Sequence, residues 1–557
     1  MVAHPGTDHR GVVRFQHRTG AHGTGVVPTG AHRQGAQGAT RSEDVMSTPP
    51  AHTGPATGPL ASLAPGMRIP YGGDRYALVG EDLAEAFHEG DALYVVQETG
   101  ALLHVPADVR HAVRDQVDAA VTAFRDMAGV SGEDIARFFT DFATRLEGEW
   151  ERIHEANEVD IERARTLGRS TTRLALARAA LDDMARGLRG WADRLHGAGG
   201  DTHPEVAHLE HDGWSVRTVS APLGVIAFVF EGRPNVLADA AGVLASGNTA
   251  VLRIGGDALG TATAIRDLAL APALSDAGLP GGAISIIPVR DRSAGWALFS
   301  DPRLALAVTR GSGRAVTELS AVARQAGTPV SAHGTGGAWL VADSSADAHR
   351  FSSAVRHSLD RKVCNTLNVA VVVADRAAEL VPELLRAADA AAASRSGTAR
   401  VHVEADSRGW VGAGEFTRTI PVARADGVHE EPRATPIPVG ELGTEWEWED
   451  TPEFSVVVVE DLDRAIDLVN THSPHFVASL ISEDTAAQER FRALVDAPFV
   501  GDGFTRWVDG QYALDQPELG LSNWERGRLL ARGAVLTGAD LTTRRLFAHH
   551  EDPDQHR

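Results

Sequence analysis

The chain of 557 residues contains a single cysteine, Cys364, which lies two residues after its single lysine, Lys362. A polar stretch, residues 357–362, precedes the cysteine and an apolar run, residues 367–373, follows it. This change predicts a loop-to-strand junction where a substrate can reach the thiol. Thiolates are strong nucleophiles, and a nearby cation favours the thiolate form. Two interpretations are open, because free cysteines are also often small buried apolar residues.

Two glycine turns at predicted strand ends are candidates for binding a phosphorylated ligand. Gly311, Ser312 and Gly313 follow a predicted strand and open a predicted helix, where backbone N–H groups can approach a phosphate. Arg253 and Gly255 lie in a second turn of this kind. The spacing does not match the dinucleotide-binding fingerprint, so a plain strand-to-helix turn is the alternative for each. A pair of such turns on one sheet suits a phosphorylated cofactor better than either turn alone.

A third turn, residues 231–235, also ends a predicted buried strand. Asn235 is a neutral donor of the kind that stabilises a developing oxyanion. Arg233 can pair with a carboxylate or a phosphate. The alternative is structural, with Asn235 capping the next helix.

Composition excludes several classes of function. With 43% hydrophobic and 23% charged residues, the chain resembles an ordinary soluble protein. It has no apolar run long enough for a transmembrane helix, and its formal net charge of -22 argues against a nucleic-acid partner. One cysteine forms no internal disulfide, which predicts a cytoplasmic location. The sequence contains no cluster of cysteine and histidine residues with metal-ligand spacing, so it predicts no metal site.

The order of patterns along the chain predicts an α/β fold. Residues 1–60 are polar and rich in glycine, which predicts a disordered extension in which Met46 is an alternative start. Residues 61–105 form an extra small unit with a predicted hairpin, and a helical apolar stripe runs from Leu174 to Leu195. Strands alternating with helices then predict two doubly wound lobes with a cleft between them. The predicted boundaries are 106–329 for a cofactor-binding domain, 330–500 for a catalytic domain and 501–557 for a C-terminal return and oligomerisation segment.

Several segments together, in one order, resemble the gamma-glutamyl phosphate reductase family, also called glutamate-5-semialdehyde dehydrogenase, of the aldehyde dehydrogenase superfamily. The segments that carry the resemblance are residues 222–226, 230–236, 246–248, 251–256 and 363–365, supported by 153–157, 160–164, 310–313, 504–507, 518–522 and 531–533. The resemblance spans about residues 110–550 and leaves the first hundred residues outside.

The resemblance implies an aldehyde dehydrogenase-like fold with a small β oligomerisation element, and NADPH-dependent reduction of L-glutamyl 5-phosphate to glutamate 5-semialdehyde, as in proline biosynthesis. It implies that Cys364 forms a thioester while Asn235 and the Cys364 backbone N–H hold the oxyanion. The implied cofactor-binding residues are Arg253, Gly255, Gly311, Ser312, Gly313 and, by alignment through Trp446, Glu449. The implied substrate-binding residues are Arg233, Thr505 and Arg506. A homodimer and an upstream glutamate kinase are the implied partners.

Three departures from the family pattern leave alternatives open. His333 stands where the family usually has the glutamate that activates water in oxidising relatives, so it is either a proton relay or a residue without a role. Lys362 occupies a position that is commonly glycine, and Gly232 replaces a commoner alanine. The alternative substrates are a related acyl phosphate or a carrier-bound thioester, NADH is the alternative cofactor, and a non-catalytic paralogue is the alternative class.

Overall fold

A computed structural model describes residues 58–169, 171, 174–230, 236–395, 397–424, 427–448, 450–508, 518–525, 528–529 and 535–554. The predicted disordered extension and the alternative start at Met46 fall on residues 1–57, outside the described residues. The described elements belong to one unit that runs from Pro59 to Arg557. No helix within the described ranges is long and apolar enough to cross a membrane.

Two antiparallel hairpins and a short helix come first: β1 Arg68–Tyr71, β2 Arg75–Leu78, α1 Glu81–Ala86, β3 Ala92–Val95 and β4 Leu102–Val105. The second hairpin lies where the sequence pattern placed one. It is not a separate unit, however, because Leu103 and Val105 are buried in the same apolar cluster as Val225 of the first large sheet. The Tyr94 hydroxyl also donates a hydrogen bond to Ser300 at 2.8 Å. A lone two-stranded hairpin buries too little surface to be stable alone, so it packs on the larger body.

Four helices follow: α2 Ala107–Asp126, α3 Gly132–Gly148, α4 Trp150–Thr166 and α5 Arg178–Gly197, with a 3-10 turn at Met127–Gly129. Helix α2 packs mainly in one apolar cluster of the first lobe, and α3, α4 and α5 pack in another. The predicted stripe of α5 is buried from Leu181 onward. Leu174 belongs to the stripe in sequence but precedes the helix. The Asn157 side chain explains why α5 begins after Leu174. It donates to the Leu174 carbonyl at 3.0 Å and accepts from the Leu176 N–H at 2.9 Å. These bonds hold the segment in a non-helical conformation.

The first large sheet is parallel and carries the predicted strand–helix alternation. After the antiparallel pair β5 Glu205–His211 and β6 Trp214–Pro222, its elements are β7 Val225–Phe230, α6 Val236–Ala241, β8 Thr249–Ile254, α7 Leu259–Ile265, α8 Ala271–Asp276, β9 Ile284–Ile286, α9 Ser293–Phe299, β10 Leu304–Arg310, α10 Gly313–Gln325 and β11 Val330–His333, with a 3-10 turn at Gly242–Ser246 and a π-helical turn at Arg266–Leu270. The strand order is β11-β10-β7-β8-β9. The order reverses between β10 and β7, where ligands bind in sheets of this type. Strand β11 pairs with β10, so this sheet extends to His333 and past the predicted boundary at residue 329.

The second large sheet has seven parallel strands in the order β17-β14-β18-β13-β12-β19-β20. Its elements are β12 Ala338–Ala342, α11 Ala348–Ser358, β13 Leu367–Val373, α12 Ala374–Ala393, β14 Arg400–Glu404, the antiparallel hairpin β15 Thr419–Arg424 and β16 Gly427–Pro432, β17 Ala434–Ile437, β18 Glu453–Val459, α13 Leu462–His472, β19 Val477–Ile481, α14 Thr485–Leu494 and β20 Phe499–Gly501, with 3-10 turns at Ala405–Trp410, Ala413–Phe416 and Val439–Glu441. Two parallel sheets with helices on their faces confirm the predicted α/β class.

The last described elements are β21 Glu518–Leu521, β22 Trp524–Glu525, β23 Arg528–Leu529, β24 Val535–Thr537 and β25 Thr542–His550, with 3-10 turns at Thr505–Trp507 and Gly538–Asp540. Strand β25 returns to the first lobe and pairs with β6, which gives a three-stranded sheet in the order β25-β6-β5. The small β element of the predicted fold is therefore present. Only four residues, 334–337, separate β11 of the first sheet from β12 of the second. This joining segment therefore lies at the boundary between the two lobes.

Candidate active site

Cys364 lies in the turn between α11 and β13, three residues before the strand begins, and is partly exposed. Its carbonyl accepts a hydrogen bond from the Gly337 N–H at 2.8 Å, and the Thr366 carbonyl accepts one from the Ala338 N–H at 2.9 Å. These bonds continue the pairing of β12 with β13 back to the cysteine. The turn is therefore tied directly to the segment that joins the two sheets.

Glycine is required at two positions of that joining segment. A Cβ on Gly336 would lie 2.6 Å from the Cys364 carbonyl oxygen and 2.8 Å from the Cys364 Cα, closer than real Cβ atoms approach. Gly337 has a φ of +101°, which L side chains rarely adopt, and a Cβ there would lie 2.8 Å from Asn368 Cβ. The backbone can contact the cysteine turn this closely because neither residue carries a side chain.

A buried polar network fixes the other side of the cysteine turn. The Thr505 hydroxyl donates to the Asn365 carbonyl at 2.7 Å, and the Thr505 N–H donates to Ser358 Oγ at 2.8 Å. Arg506 donates to Asn365 Oδ1 at 3.1 Å and to Asp360 at 3.1 Å. Thr505 and Arg506, which the sequence predicts as substrate-binding residues, are thus brought to the site, where they contact the protein segment around Cys364.

Lys362 makes the strongest charged contact near the cysteine. Its side chain is only 7% exposed, and its Nζ lies 2.6 Å from Glu445 Oε1 and 3.7 Å from the more exposed Glu447. The other oxygen of Glu445 accepts a hydrogen bond from the Gly336 N–H at 2.6 Å. One carboxylate therefore joins the cysteine turn to the segment between the sheets. Sequence reasoning missed Glu445, although a buried lysine signals that an acidic partner must exist.

The segment that carries Glu445 is itself held on both sides. Asn368 donates to the Thr444 carbonyl at 2.8 Å and accepts from the Trp446 N–H at 3.0 Å. The Trp446 indole donates to Ser455 Oγ at 2.9 Å and stacks on the His402 ring at a centroid distance of 3.5 Å. Burial lowers the pKa of His402 below its usual range, so this imidazole is predominantly neutral near pH 7. Glu445 thus lies between two anchored residues.

His333 ends β11 and is almost fully buried. Its Nδ1 lies 2.7 Å from Asn523 Oδ1, and its ring lies 4.3 Å from the ring of Phe476. Cys364 packs against the same apolar cluster, which contains Phe476 and Phe499. His333 and Cys364 therefore contact the same apolar cluster. Asn523 is a further residue that local sequence patterns did not reveal.

The predicted cofactor turn at Gly311, Ser312 and Gly313 lies beside the same joining segment. Ser312 is the N-cap of α10, and the Gly311 N–H donates to the His333 carbonyl at 3.4 Å. A Cβ on Gly313 would lie 2.8 Å from Thr335 Oγ1. A turn with two glycines at a helix N-terminus lets a phosphate approach the backbone N–H groups, so its construction fits a nucleotide cofactor.

Arg253 is the next-to-last residue of β8, which lies on the other side of the central strand β7. Burial lowers its pKa from the usual value for arginine. Its Nη2 donates to the Arg290 carbonyl at 3.3 Å, and its buried Nε has no hydrogen-bond partner among the residues described. Gly255 opens the following turn, in which the Ala258 N–H donates to its carbonyl at 2.9 Å. An unsatisfied buried donor at a strand end also fits a bound anionic group.

Three predicted site residues, Arg233, Asn235 and Glu449, lie outside the described residues. The chain leaves β7 at Phe230 and begins α6 at Val236, so the segment with Arg233 and Asn235 starts at the carboxyl end of the central strand. Within the described ranges, no group of three or more acidic, histidine or cysteine side chains could hold a metal ion.

A model of the aldehyde dehydrogenase family matches residues 96–403. Solved structures share the fold. The gamma-glutamyl phosphate reductase of Thermotoga maritima gives a TM-score of 0.67 at 22% identity and covers 80% of this chain and 100% of that one. Lactaldehyde dehydrogenase from Escherichia coli gives 0.56 at 17% identity, covering 83% and 96%. These likenesses establish an aldehyde dehydrogenase-like fold, as the sequence predicted.

Sequence similarity is more specific. The chain is 30% identical to the gamma-glutamyl phosphate reductase of Afipia carboxidovorans over 442 residues, which is 77% of this chain and 93% of that protein. It is 33% identical to that of Methylobacterium nodulans over 333 residues, which is 58% and 68% of the two chains. The chain therefore belongs to the aldehyde dehydrogenase family and, within it, to the group of gamma-glutamyl phosphate reductases. It is an oxidoreductase of a class that uses a nicotinamide cofactor.

Gly336→Ala tests how closely the joining segment must approach Cys364. The added methyl group would force the segment away from the Cys364 backbone, and a displacement of about 1 Å can lower turnover by about 100-fold. We expect loss of turnover with a much smaller change in melting temperature. Gly409→Ala is the matched control, because a Cβ at Gly409 would meet no atom within 4 Å. Equal activity of the two variants would contradict the close-approach requirement.

Proposed function

We propose that the chain uses NADPH to reduce an acyl phosphate, L-glutamyl 5-phosphate, to glutamate 5-semialdehyde with release of phosphate, the reaction of proline biosynthesis. One observation carries the proposal: Cys364 is partly exposed and is held by a backbone hydrogen bond to the segment between the lobes, beside the Gly311–Gly313 turn. Relatives named gamma-glutamyl phosphate reductase support the choice of substrate.

Cys364 performs the covalent step. Its thiolate attacks the acyl carbon, the bond from carbon to the phosphate oxygen breaks, and phosphate leaves with the electron pair. The resulting thioester keeps the acyl group on Cys364. Hydride addition to the thioester carbon would give a thiohemiacetal oxyanion. Its collapse breaks the bond from carbon to sulfur, releases the aldehyde and returns the Cys364 thiolate. The backbone bond from Gly337 holds the cysteine still throughout this sequence.

Asn235 and the Cys364 backbone N–H stabilise the oxygen on which negative charge develops. We place Arg233 at the carboxylate of the substrate, since guanidinium groups bind carboxylates with two hydrogen bonds. Thr505 and Arg506 act on the substrate indirectly, because their bonds to Asn365 hold the cysteine turn.

When bound, NADPH would supply the hydride that reduces the thioester. Its phosphates suit the turn of Gly311, Ser312 and Gly313 together with Arg253 and Gly255 on the other side of β7. Glu449 remains our candidate for the nicotinamide ribose. The buried Nε of Arg253 favours a phosphorylated group at this edge of the sheet, since an ionic partner would satisfy it.

The proposed reaction also indicates which enzyme must supply the substrate. An acyl phosphate must come from a kinase that phosphorylates a carboxylate, which for this substrate is glutamate kinase. We propose that the enzyme works in the cytoplasm, where a catalytic thiol stays reduced. We also propose a homodimer through the sheet β25-β6-β5. Strand β5 is exposed along its length, its outer edge pairs with no other described strand, and Leu546 on β25 is 70% exposed.

Reverse turnover tests the proposed reaction most directly. Purified protein with glutamate 5-semialdehyde, phosphate and NADP should form NADPH, which is followed by its absorbance. The reaction should be faster than with homologous aldehydes or with NAD.

Cys364→Ser should abolish turnover, because a hydroxyl is a much poorer nucleophile than a thiol. Asn235→Ala should lower turnover by about 100-fold. Activity with a carrier-bound thioester but not with phosphate would favour the alternative substrate, and activity with neither would favour a non-catalytic paralogue.

Variants of His333 test whether the absence of the acidic residue of oxidising relatives limits hydrolysis. Reduction needs no base at this position, so His333→Ala should keep most of the reductase activity. His333→Glu should raise oxidation of the aldehyde to the free acid without phosphate, because a carboxylate there can activate water. The measurement is the ratio of phosphate-independent to phosphate-dependent NADPH formation, and the double variant with Cys364→Ser should show neither. Loss of reduction in His333→Ala would make His333 an acid or a substrate contact.

Leu546→Asp tests the proposed dimer. A charge placed in an apolar contact between subunits leaves an unpaired buried carboxylate, so we expect sedimentation as a monomer. Val428→Asp is the control, because Val428 is 72% exposed on the separate hairpin β15–β16. An unchanged sedimentation coefficient for Leu546→Asp would place the subunit contact elsewhere or exclude it.

A further inference from the structure

Lys362 and Glu445 form an ion pair whose position is unexpected for a purely structural contact. Their side chains are 7% and 19% exposed, and the charged atoms lie 2.6 Å apart. Replacing a buried ion pair by apolar residues is often neutral or stabilising, so stability alone gives little reason for a buried pair. This pair uses the single lysine of the chain, two residues before its single cysteine.

The carboxylate of Glu445 is close to the nucleophile. A Cβ position built on Gly336 lies 2.8 Å from the Cys364 Cα and 2.8 Å from Glu445 Oε1. Because both atoms are 2.8 Å from one point, they are at most about 5.6 Å apart. This bound applies to the Cα atom, and the sulfur is two bonds farther along the side chain. Glu445 is therefore a charged neighbour of the cysteine, and nearby charges change the equilibrium between thiol and thiolate.

The two charges of the pair act on the thiolate in opposite directions. The Lys362 cation favours the thiolate, and the Glu445 anion disfavours it, so the intact pair leaves a nearly balanced local charge. Other charged or titratable groups face the cysteine turn. Arg506 is paired with Asp360 at 3.1 Å, and His333 bonds to Asn523. Two further charged groups near this turn are Arg361, on the turn itself, and Glu447, whose side chain is 64% exposed and therefore well screened by water.

The pair also has a geometric effect. Glu445 receives the Lys362 ammonium group with one oxygen and the Gly336 N–H with the other, each at 2.6 Å. Thr444 and Trp446 on either side of Glu445 are bonded to Asn368, near the start of β13. The carboxylate is therefore a fixed point to which both the cysteine turn and the joining segment are attached.

We propose that Lys362 and Glu445 are positioning residues for the acyl transfer at Cys364, which hold the thiol in place and balance the charge around it. The inference rests on the proposed function of Cys364 as the nucleophile. It assigns a task to the one lysine of the chain and predicts that the two members of the pair have opposite effects on the thiol.

Alkylation by iodoacetamide as a function of pH tests this pair in the whole chain without substrate or cofactor, since Cys364 is the only thiol. Lys362→Met leaves an unpaired carboxylate beside the cysteine and should raise the pH midpoint of alkylation by about one unit. Glu445→Gln leaves the cation with only the more exposed Glu447, at 3.7 Å, and should lower the midpoint by about one unit. The double variant should return close to the unsubstituted protein, and Lys362→Arg should keep its midpoint.

Two control variants separate the pair from general charge effects. Glu447→Gln removes the exposed neighbour and should shift the midpoint far less than Glu445→Gln. Arg490→Met breaks the exposed surface pair with Asp463, at 2.7 Å and 2.9 Å, and should shift nothing. If Lys362→Met fails to fold by circular dichroism, the near-isosteric Glu445→Gln decides alone. Midpoints that do not move, or that move in the same direction in both single variants, would overturn the proposal.

Turnover provides the second measurement. Lys362→Met and Glu445→Gln should lower kcat by about tenfold or more with little change in KM, and the double variant should lose less than the product of the two effects, because the residues act as one unit. Unchanged kcat in both single variants would also overturn the proposal. If opposite midpoint shifts appear in a protein that reduces no acyl phosphate, the pair stands and the proposed reaction is the part that fails.

Discussion

The backbone hydrogen bond from the Gly337 N–H to the Cys364 carbonyl, 2.8 Å long, is the contact on which the arrangement of the site depends. It attaches the turn that carries the thiol to the four residues that join the two sheets. A single bond of this kind contributes about 1 kcal/mol to stability, so its importance here is geometric. Since His333 and Gly313 also adjoin these four residues, a shift of the joining segment would move the predicted cofactor turn and the thiol relative to one another.

The sequence predicted much of the fold because alternation of apolar strands and amphipathic helices is a local signal. The family and the α/β class are confirmed, and the strands at Val225–Phe230 and Leu367–Val373 lie where apolar runs placed them. The sheet to which β11 belongs was not predictable in this way. Its residues are all buried, and a short buried run does not reveal which neighbouring strand it will pair with. The same holds for Leu174, whose non-helical position depends on the distant side chain of Asn157.

The candidate site was likewise predictable only where its features are local in sequence. Cys364 and the Gly311–Gly313 turn were found because their chemistry and local spacing are visible in short segments. Glu445 and Asn523 were missed because each reaches the site through a contact made far along the chain. A buried lysine implied an acidic partner, but the chain has 75 acidic residues and no local rule selects one of them. Substrate binding by Arg506 stays a prediction, and its bonds to Asp360 and Asn365 follow from tertiary packing that no local pattern shows.

The charges around Cys364 also bear on the choice between reduction and hydrolysis. A thioester is destroyed by water wherever a carboxylate is free to act as a base. Here the position of the usual glutamate is His333, whose Nδ1 bonds to Asn523. The carboxylate that does lie near the nucleophile, Glu445, has both oxygens engaged, one by Lys362 and one by the Gly336 N–H. Each oxygen of Glu445 therefore has one donor, and the two donors hold the carboxylate in a fixed position. A site built this way keeps an acidic residue for positioning and has a histidine in place of the usual base, which favours transfer of hydride to the thioester over attack by water.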